Sequence, residues 1–282
     1  MKKVDVSEDK LFSLDFLPIE PGIVATEEDL FIFDDRVFKT LFPLDTEKCK
    51  NKIYILNELN RIKNILPREF IIPDTLIYTK GELKGFSMQR VQGLTLDSVL
   101  KSNSFSFKDK LSFLKNIGII LSKLNDVRRC GENVFINDLH SSNILVSNQG
   151  IRIIDLDSAR VNDSVSFPAR YLTPFSMVRD VDKYVKSNNR FGYIEADQNS
   201  DLYCYSIILL NFIFGKNISG IKVHDFYEIL NFLESCGINR DLIYSFDLLI
   251  KNENNVNPYP FVESLDEKVL EKAKMLEIKR SY

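Results

Sequence analysis

The sequence predicts an α+β fold in which a β-rich N-terminal third with one helix precedes a larger helical part. Residues 30–42 contain two β-type runs around Asp34-Asp35, which indicates a hairpin. A stripe of apolar residues at helical spacing covers residues 51–64, and from residue 95 onward the patterns become mainly helical. With 282 residues and 44% hydrophobic content, the chain can fill one large core or two modest ones.

The N-terminal part is expected to form a sheet accompanied by one helix. Strands are predicted at residues 75–78 and 86–91, with the turn between them near Gly81. The helix prediction for residues 51–64 depends on apolar residues at positions 53, 55, 56, 59 and 62.

The C-terminal part is expected to consist of helices with one β-hairpin among them. A short helix is predicted at residues 96–100 and a long amphipathic helix at residues 108–124. The hairpin joins NILV to IRII through the turn residues 147–150. Because residues 201–214 are almost all apolar, they predict a helix at the centre of this part. Further helices are predicted at roughly 225–235, 240–250 and 265–278.

Composition excludes several classes of protein. The formal net charge of -3 does not suggest a nucleic-acid partner or an anionic membrane surface. No apolar run is long enough to span a bilayer, and the first residues lack the apolar core of a secretory signal. The four cysteines form no CxxC pair, so we expect no disulfide framework and a cytoplasmic location.

The clearest chemical pattern lies between Asp138 and Asp155. Asp138 and Asn143 stand at either end of a short loop, and the predicted hairpin returns Asp155 to the side of Asn143. Mg²⁺ prefers oxygen ligands and keeps water and phosphate oxygens for its other positions. Each residue alone is explained better as a turn or cap residue. Together, their spacing favours a site for phosphoryl transfer, in which positioning and charge neutralisation provide the catalysis.

In this segment the chain resembles the protein-kinase superfamily, of the Ser/Thr protein-kinase type. Asp138 and Asn143 match the loop H-R-D-x-x-x-x-N, and Asp155 matches the aspartate of D-F-G. The resemblance implies ATP and Mg²⁺ as cofactors. It implies Asp138 as the catalytic base and Asn143 and Asp155 as the metal ligands.

The resemblance also implies a bilobal fold of the protein-kinase type. A small β-rich N-lobe with one helix would cover residues 1–88, a hinge residues 89–94, and a larger helical C-lobe residues 95–282.

Further residues are implied in nucleotide binding. Lys39 resembles the lysine that grips ATP and takes part in catalysis, and Glu58 resembles its salt-bridge partner on the N-lobe helix. Met88 corresponds to the residue at the rear of the adenine pocket, and backbone groups of Gln89 and Val91 would meet adenine. The plain alternatives are solvated surface charges and an ordinary strand followed by a turn.

Asp201 resembles the buried aspartate that opens the central helix of protein kinases and hydrogen-bonds the backbone of the catalytic loop. The alternative is an acid at a helix N-terminus, which is favourable in any protein. Residues 155–175 would form the activation segment, and residues 168–175 its substrate-binding end.

Several departures from the family pattern leave the function open. No G-x-G-x-x-G precedes Lys39, and Ile136-Asn137 stand in place of His-Arg. His140 gives an Asp-Leu-His triplet similar to that of aminoglycoside phosphotransferases, and could act beside phosphate or simply pack in the loop. Asp157 replaces the glycine of D-F-G, either to bind a second ion or to cap a turn.

The helix that Asp201 opens and the stretch 168–175 favour a Ser/Thr-type protein kinase or an autokinase. The alternatives are a phosphotransferase for a small hydroxyl compound and a pseudokinase that serves as a binding module.

Overall fold

A computed structural model describes residues 1–12, 15–16, 30–41, 46–164, 198–218, 223–251 and 256–275. These residues form a mixed α+β structure, which confirms the predicted fold class. Strands dominate up to residue 95, and helices dominate thereafter.

Six strands form the largest sheet. They are β1 (Lys2–Asp5), β2 (Asp15–Phe16), β3 (Leu30–Phe33), β4 (Arg36–Thr40), β5 (Thr75–Thr79) and β6 (Glu82–Gln89). Their order across the sheet is β1-β5-β6-β4-β3-β2, and β1 pairs parallel with β5 while the other pairs are antiparallel. The sequence did not indicate β1, because four residues with two lysines carry no strand signal of their own.

The two tight turns of this sheet lie where the sequence predicts them. Asp34, with φ 53°, follows β3, and the pair Lys80-Gly81, with φ 51° and 80°, joins β5 to β6. Two consecutive residues with positive φ form a turn whose twist matches that of the flanking strands. Both hairpins are confirmed, although β6 ends at Gln89, two residues before the predicted end.

Eight α-helices lie within the described ranges. They are α1 (Glu8–Phe12), α2 (Thr46–Arg61), α3 (Leu96–Lys101), α4 (Phe107–Arg129), α5 (Gln198–Phe214), α6 (Val223–Cys236), α7 (Arg240–Lys251) and α8 (Glu267–Lys274). Ser106 and Asp109 form a capping box that starts α4, and the Thr95 side chain caps α3. None of the helices in the described parts of the chain is long and apolar enough to cross a membrane.

Five short strands frame the segment that carries the predicted motif. They are β7 (Leu94–Thr95), β8 (Val134–Phe135), β9 (Ile144–Ser147), β10 (Gly150–Ile153) and β11 (Arg160–Val161). The hairpin of β9 and β10 is confirmed, and β7 adds to its β9 edge. Since β8 pairs with β11, both ends of the motif segment are held together.

Buried apolar residues form two clusters, and α2 contributes to both. The smaller cluster lies between α2 and the large sheet and comprises Leu56, Ile71, Leu76, Phe86 and Met88. The larger cluster fills the helical part around α5 and receives Ile55 and Leu59 from the neighbouring side of α2, with Ile62 directly after the helix. Helix α2 therefore packs against the sheet and the helical part at once.

A buried carboxylate near the start of α5 holds the segment after β8. Asp201, 1% exposed, accepts hydrogen bonds from the backbone N–H groups of Ile136 at 3.0 Å and Asn137 at 3.3 Å. Its other oxygen lies 2.8 Å from the guanidinium of Arg128, which also donates to the Val134 carbonyl. The hydrogen bond predicted from Asp201 to this backbone is confirmed.

We predict that Asp201→Ala lowers the free energy of unfolding by about 3–5 kcal/mol, because it removes the charge partner of the largely buried Arg128 and the acceptor of two buried backbone N–H groups. Urea denaturation measures the loss. Asp241→Ala is the matched control, since Asp241 also lies near a helix start but is exposed; its expected loss is at most about 1 kcal/mol. Equal losses in the two variants would contradict this account of Asp201.

Candidate active site

The loop that carries Asp138 begins with a strained turn. Asn137 has φ 66°, and the Asp138 N–H donates to the Ile136 carbonyl at 2.8 Å, which closes a three-residue turn. A non-glycine residue in this conformation costs about 1–3 kcal/mol and persists only where its surroundings hold it. Here Asp201 binds the backbone, and the Asn137 side chain donates to the Ser158 carbonyl at 3.0 Å. These bonds fix the position of the backbone at Asn137, and therefore the position of Asp138, the next residue.

The other end of the loop is tied to Asp138 by Asn143. The Asn143 Nδ2 group donates to the Asp138 backbone carbonyl at 3.1 Å and to Asp138 Oδ2 at 3.2 Å. Its amide oxygen is the acceptor left to meet a ligand. The Asn143 backbone carbonyl accepts from the Ile154 N–H at 3.0 Å, so the residue before Asp155 lies directly beside it.

His140 caps the short 3₁₀ turn 141–143. Its Nδ1 atom accepts from the Ser142 N–H at 3.2 Å, so a neutral ring carries its proton on Nε2. Nε2 lies 3.7 Å from Asp138 Oδ2, which is too long for a direct hydrogen bond. The Ser142 contact uses only Nδ1, and the ring is 32% exposed, so both roles predicted for this histidine stay predictions.

Asp155 follows β10 in a left-handed conformation, with φ 63° and ψ 46°. Its Oδ1 atom lies 2.5 Å from the ammonium of Lys39, which comes from β4 in the large sheet. Burial raises the pKa of Asp155 to about 6, and the nearby Asp157 carboxylate adds to the rise while Lys39 opposes it. Burial alone would lower the pKa of Lys39, but the two carboxylates raise it above its ordinary value.

Asp157 lies at the centre of a buried group of charges. It is 1% exposed, and its two oxygens lie 3.1 and 3.3 Å from the Lys39 ammonium. The ammonium of Lys52, from α2, lies 2.6 Å from Asp157 Oδ2. Burial by itself would raise the pKa of Asp157, but the two ammonium groups bring it far below the usual range. Asp157 thus binds two lysines, a role that differs from both of those predicted for it, namely binding a second ion and capping a turn.

The predicted partner of Lys39, Glu58, lies elsewhere. Glu58 accepts hydrogen bonds from Arg61 at 2.9 Å and from Asn162 at 3.1 Å. The predicted Lys39–Glu58 salt bridge is therefore wrong. Glu58 follows Lys52 by six residues, which places it about 240° around the axis of α2, away from the cluster that contains Lys39.

Glu58 belongs to a separate network at the end of α2. Arg61 binds Glu58 and also Glu132, whose Oε2 lies 2.5 Å from the guanidinium. Asn162 donates to Glu132 at 2.9 Å. Hydrogen bonds from Arg61 and Asn162 lower the pKa of Glu132 to about 2. The network fastens α2 to the residues that precede β8 and follow β11.

The residues predicted to meet adenine lie at the end of β6. Met88 is buried in the smaller apolar cluster, and Val37, Val91 and Ile154 pack against that cluster while partly exposed. Gln89 is exposed and pairs with Arg36 across the β4–β6 ladder. An apolar wall therefore extends from Met88 to Ile154, the residue before Asp155.

The donor set near Asp155 fits a magnesium ion that arrives with a nucleotide. Asp155 supplies a carboxylate and Asn143 an amide oxygen, and magnesium sites in enzymes commonly have one or two carboxylates while phosphates and water complete the shell. No group of three or more His, Cys, Asp or Glu side chains within the described ranges is arranged to hold a metal ion on its own. A nucleotide's phosphates would have to complete the site.

Two predicted segments lie outside the described residues. They are residues 21–29 of the stretch 21–35, which precedes Lys39 in place of a glycine-rich loop, and residues 165–175 of the activation segment.

Sequence reasoning missed Lys52, which is 7% exposed. A signal was present, because Lys52 lies four residues before Leu56 and continues the buried stripe of α2 by one turn. A lysine in line with buried leucines indicates a buried partner of opposite charge. The sequence cannot identify that partner, which comes from the segment after β10.

We predict that Glu132→Gln destabilises the protein at neutral pH and has no effect in strong acid. Because the folded state lowers the pKa of Glu132 from 4.5 to about 2, its contribution is complete above pH 4.5 and disappears as the pH falls toward 2. The expected loss at pH 7 is up to about 1 kcal/mol, since the group lies near the surface. Urea denaturation across this range measures it, with Glu228→Gln on the exposed side of α6 as the control. A loss that is independent of pH would contradict the assignment.

The candidate residues thus form one connected set, in which Lys39 and Asp155 are joined directly and Asp138 reaches Asp155 through Asn143. No protein-family model matches this chain, and no curated protein sequence matches it. A function for this site therefore has to be inferred from the chemistry of these residues.

Proposed function

We propose that this chain is an ATP- and Mg²⁺-dependent phosphotransferase with a bilobal, protein-kinase-like fold, acting on a hydroxyl of another protein or of its own chain. The observation that carries the proposal is the connected set Lys39, Asp155, Asn143 and Asp138 at the junction of the sheet and the helical part. An aspartate base, two oxygen ligands and a lysine are the parts that phosphoryl transfer requires.

Each residue has a role that its contacts support. Asp138 accepts the proton of the acceptor hydroxyl, and its carboxylate is oriented for this by Asn143 at 3.2 Å. Asn143 and Asp155 hold the metal ion, and Lys39 provides a positive charge for the phosphates. Bound Mg-ATP supplies the transferable phosphoryl group and the charge neutralisation on its oxygens.

The division of the chain follows from the same proposal. Residues 1–88 form the N-lobe, residues 89–94 the hinge and residues 95–282 the C-lobe. Met88, Gln89 and Val91 border the adenine site, because the partly exposed Val91 and the buried Met88 share one apolar cluster beside Ile154. Such an enzyme is expected in the cytoplasm.

A phosphotransferase for small hydroxyl compounds is the second candidate. It is favoured by the Asp138-Leu139-His140 triplet, since His140 is partly exposed and lies 3.7 Å from the proposed base. The loop would then present an imidazole beside the acceptor.

We predict that Asp138→Asn reduces phosphoryl transfer by about 10²–10⁴-fold, because it removes the base while leaving the metal ligands in place. The assay incubates purified protein with Mg²⁺ and γ-labelled ATP, alone, with a generic protein substrate and with a panel of small hydroxyl compounds. Asp126→Asn, an exposed aspartate on α4, is the control. Binding of Mg-ATP, read as a rise in melting temperature, should survive in both variants.

The outcomes separate the candidates. Label in protein that disappears with Asp138→Asn supports the protein kinase, and label confined to small compounds supports the second candidate. A rise in melting temperature without any transfer indicates a pseudokinase. If the protein shows no transfer and no rise in melting temperature, all nucleotide-dependent functions are excluded.

A further inference from the structure

The proposed active site contains a lysine and an aspartate that have no assigned role. Lys52 comes from α2 and Asp157 from the turn after β10, and both are almost completely buried. Their charged groups lie 2.6 Å apart, and Asp157 also lies 3.1 Å from Lys39. Removing three charged groups from water costs free energy unless each has a partner of opposite charge at short distance. The short distances in this cluster therefore indicate a specific role.

The sequence predicted that α2 and Lys39 are linked by an acidic residue of the helix, but the residue that α2 supplies is basic. The helix was expected to supply an acid, Glu58, that pairs directly with Lys39. It supplies a base instead, and the acid comes from the segment that also carries Asp155. Because Lys39 already has Asp155 as one partner at 2.5 Å, Asp157 is the one that remains available when Asp155 binds a metal ion.

We infer that Asp157 is the positioning residue for Lys39 in the phosphotransferase proposed above, and that Lys52 links this anchor to α2. The inference rests on the proposed function for its catalytic consequence. Asp157 holds the Lys39 ammonium with its two oxygens, 3.1 and 3.3 Å away. Asp155 and Asp157 carry two negative charges, of which Lys39 balances one and Lys52 the other. The position of Lys39 on β4 therefore depends on the position of α2, because both elements bind the carboxylate of Asp157 in the turn after β10.

The arrangement has a functional advantage. A lysine held by one carboxylate alone would lose its orientation when that carboxylate turns to a metal ion. With Asp157 as a second anchor, Lys39 keeps its place beside the phosphates. Lys52 gives the buried Asp157 a second positive partner, so its charge stays compensated while Lys39 also faces the phosphates.

The test uses two single variants and their combination. Asp157→Asn removes the anchor, and Lys52→Glu moves the carboxylate onto α2. In each single variant kcat/KM should fall by about 100-fold, mostly in kcat, because a misplaced lysine loses interactions made in the transition state. In the double variant the new carboxylate of Lys52→Glu can pair with Lys39 directly. Transfer should recover by at least about tenfold over either single variant.

A second readout does not depend on activity. Acylation of Lys39 by an amine-reactive reagent, followed by mass spectrometry and normalised to the exposed Lys268, reports how firmly the ammonium is held. Asp157→Asn should make Lys39 react several-fold faster, and the double variant should return it to the slow wild-type rate. A residue that only stabilises the fold would not show this recovery.

Controls address charge and folding. Lys63→Glu makes the same change at an exposed lysine just beyond the end of α2 and should leave both readouts unchanged. Circular dichroism identifies variants that fail to fold. If Lys52→Glu does not fold, Lys52→Met replaces it, and its effect should largely disappear once Asp157 is already asparagine.

The inference is overturned if Asp157→Asn leaves Lys39 reactivity unchanged. It is also overturned if adding Lys52→Glu to Asp157→Asn restores nothing and the effects of Lys52→Met and Asp157→Asn simply add. If the wild-type protein neither transfers phosphate nor binds Mg-ATP, the proposed function fails. The reactivity of Lys39 then decides the positioning role by the same criteria.

Discussion

The arrangement of the candidate site depends on one buried carboxylate, that of Asp201. It binds the N–H groups of Ile136 and Asn137 and pairs with Arg128, and so connects α5 and α4 to the segment that leads into the Asp138 loop. Asn137 adopts a conformation that a non-glycine residue avoids, and only such surrounding bonds can hold it there. The directions of Asp138 and Asn143 follow from this turn, because Asn143 donates to Asp138 and His140 accepts from the N–H groups of Ser142 and Asn143 within the loop.

A second constraint is the need to compensate charge in the interior. Asp157 is nearly inaccessible to water, and an isolated carboxylate in that position would be very unfavourable. The two lysines that surround it come from β4 and α2, so the compensation requires the sheet, the helix and the turn after β10 to meet at one point. A buried group of this kind adds little net stability, but it penalises arrangements in which any of the three elements is displaced.

Helix α2 is the element through which these constraints are combined. Leu56 packs in the cluster beneath the sheet, whereas Ile55 and Leu59 pack in the cluster of the helical part. Toward its N-terminus α2 supplies Lys52 to the charge cluster, and its last residue, Arg61, binds Glu132 in the loop before β8. Because α2 is held at two points and on two faces, its position relative to the Asp138 loop is set by contacts within the described residues.

The sequence by itself determined the local features. The hairpins around Asp34 and Gly150, the helices at apolar stripes and the spacing of Asp138, Asn143 and Asp155 all follow from neighbours in the chain, for which periodicity and turn chemistry are sufficient. Only the tertiary structure decided which charges meet. Lys39 and Asp157 are 118 residues apart, and the choice between Glu58 and Asp157 as partner depends on which side of α2 faces the cluster. The parallel strand β1 was likewise decided by the free edge of β5, because its own four residues carry no strand pattern.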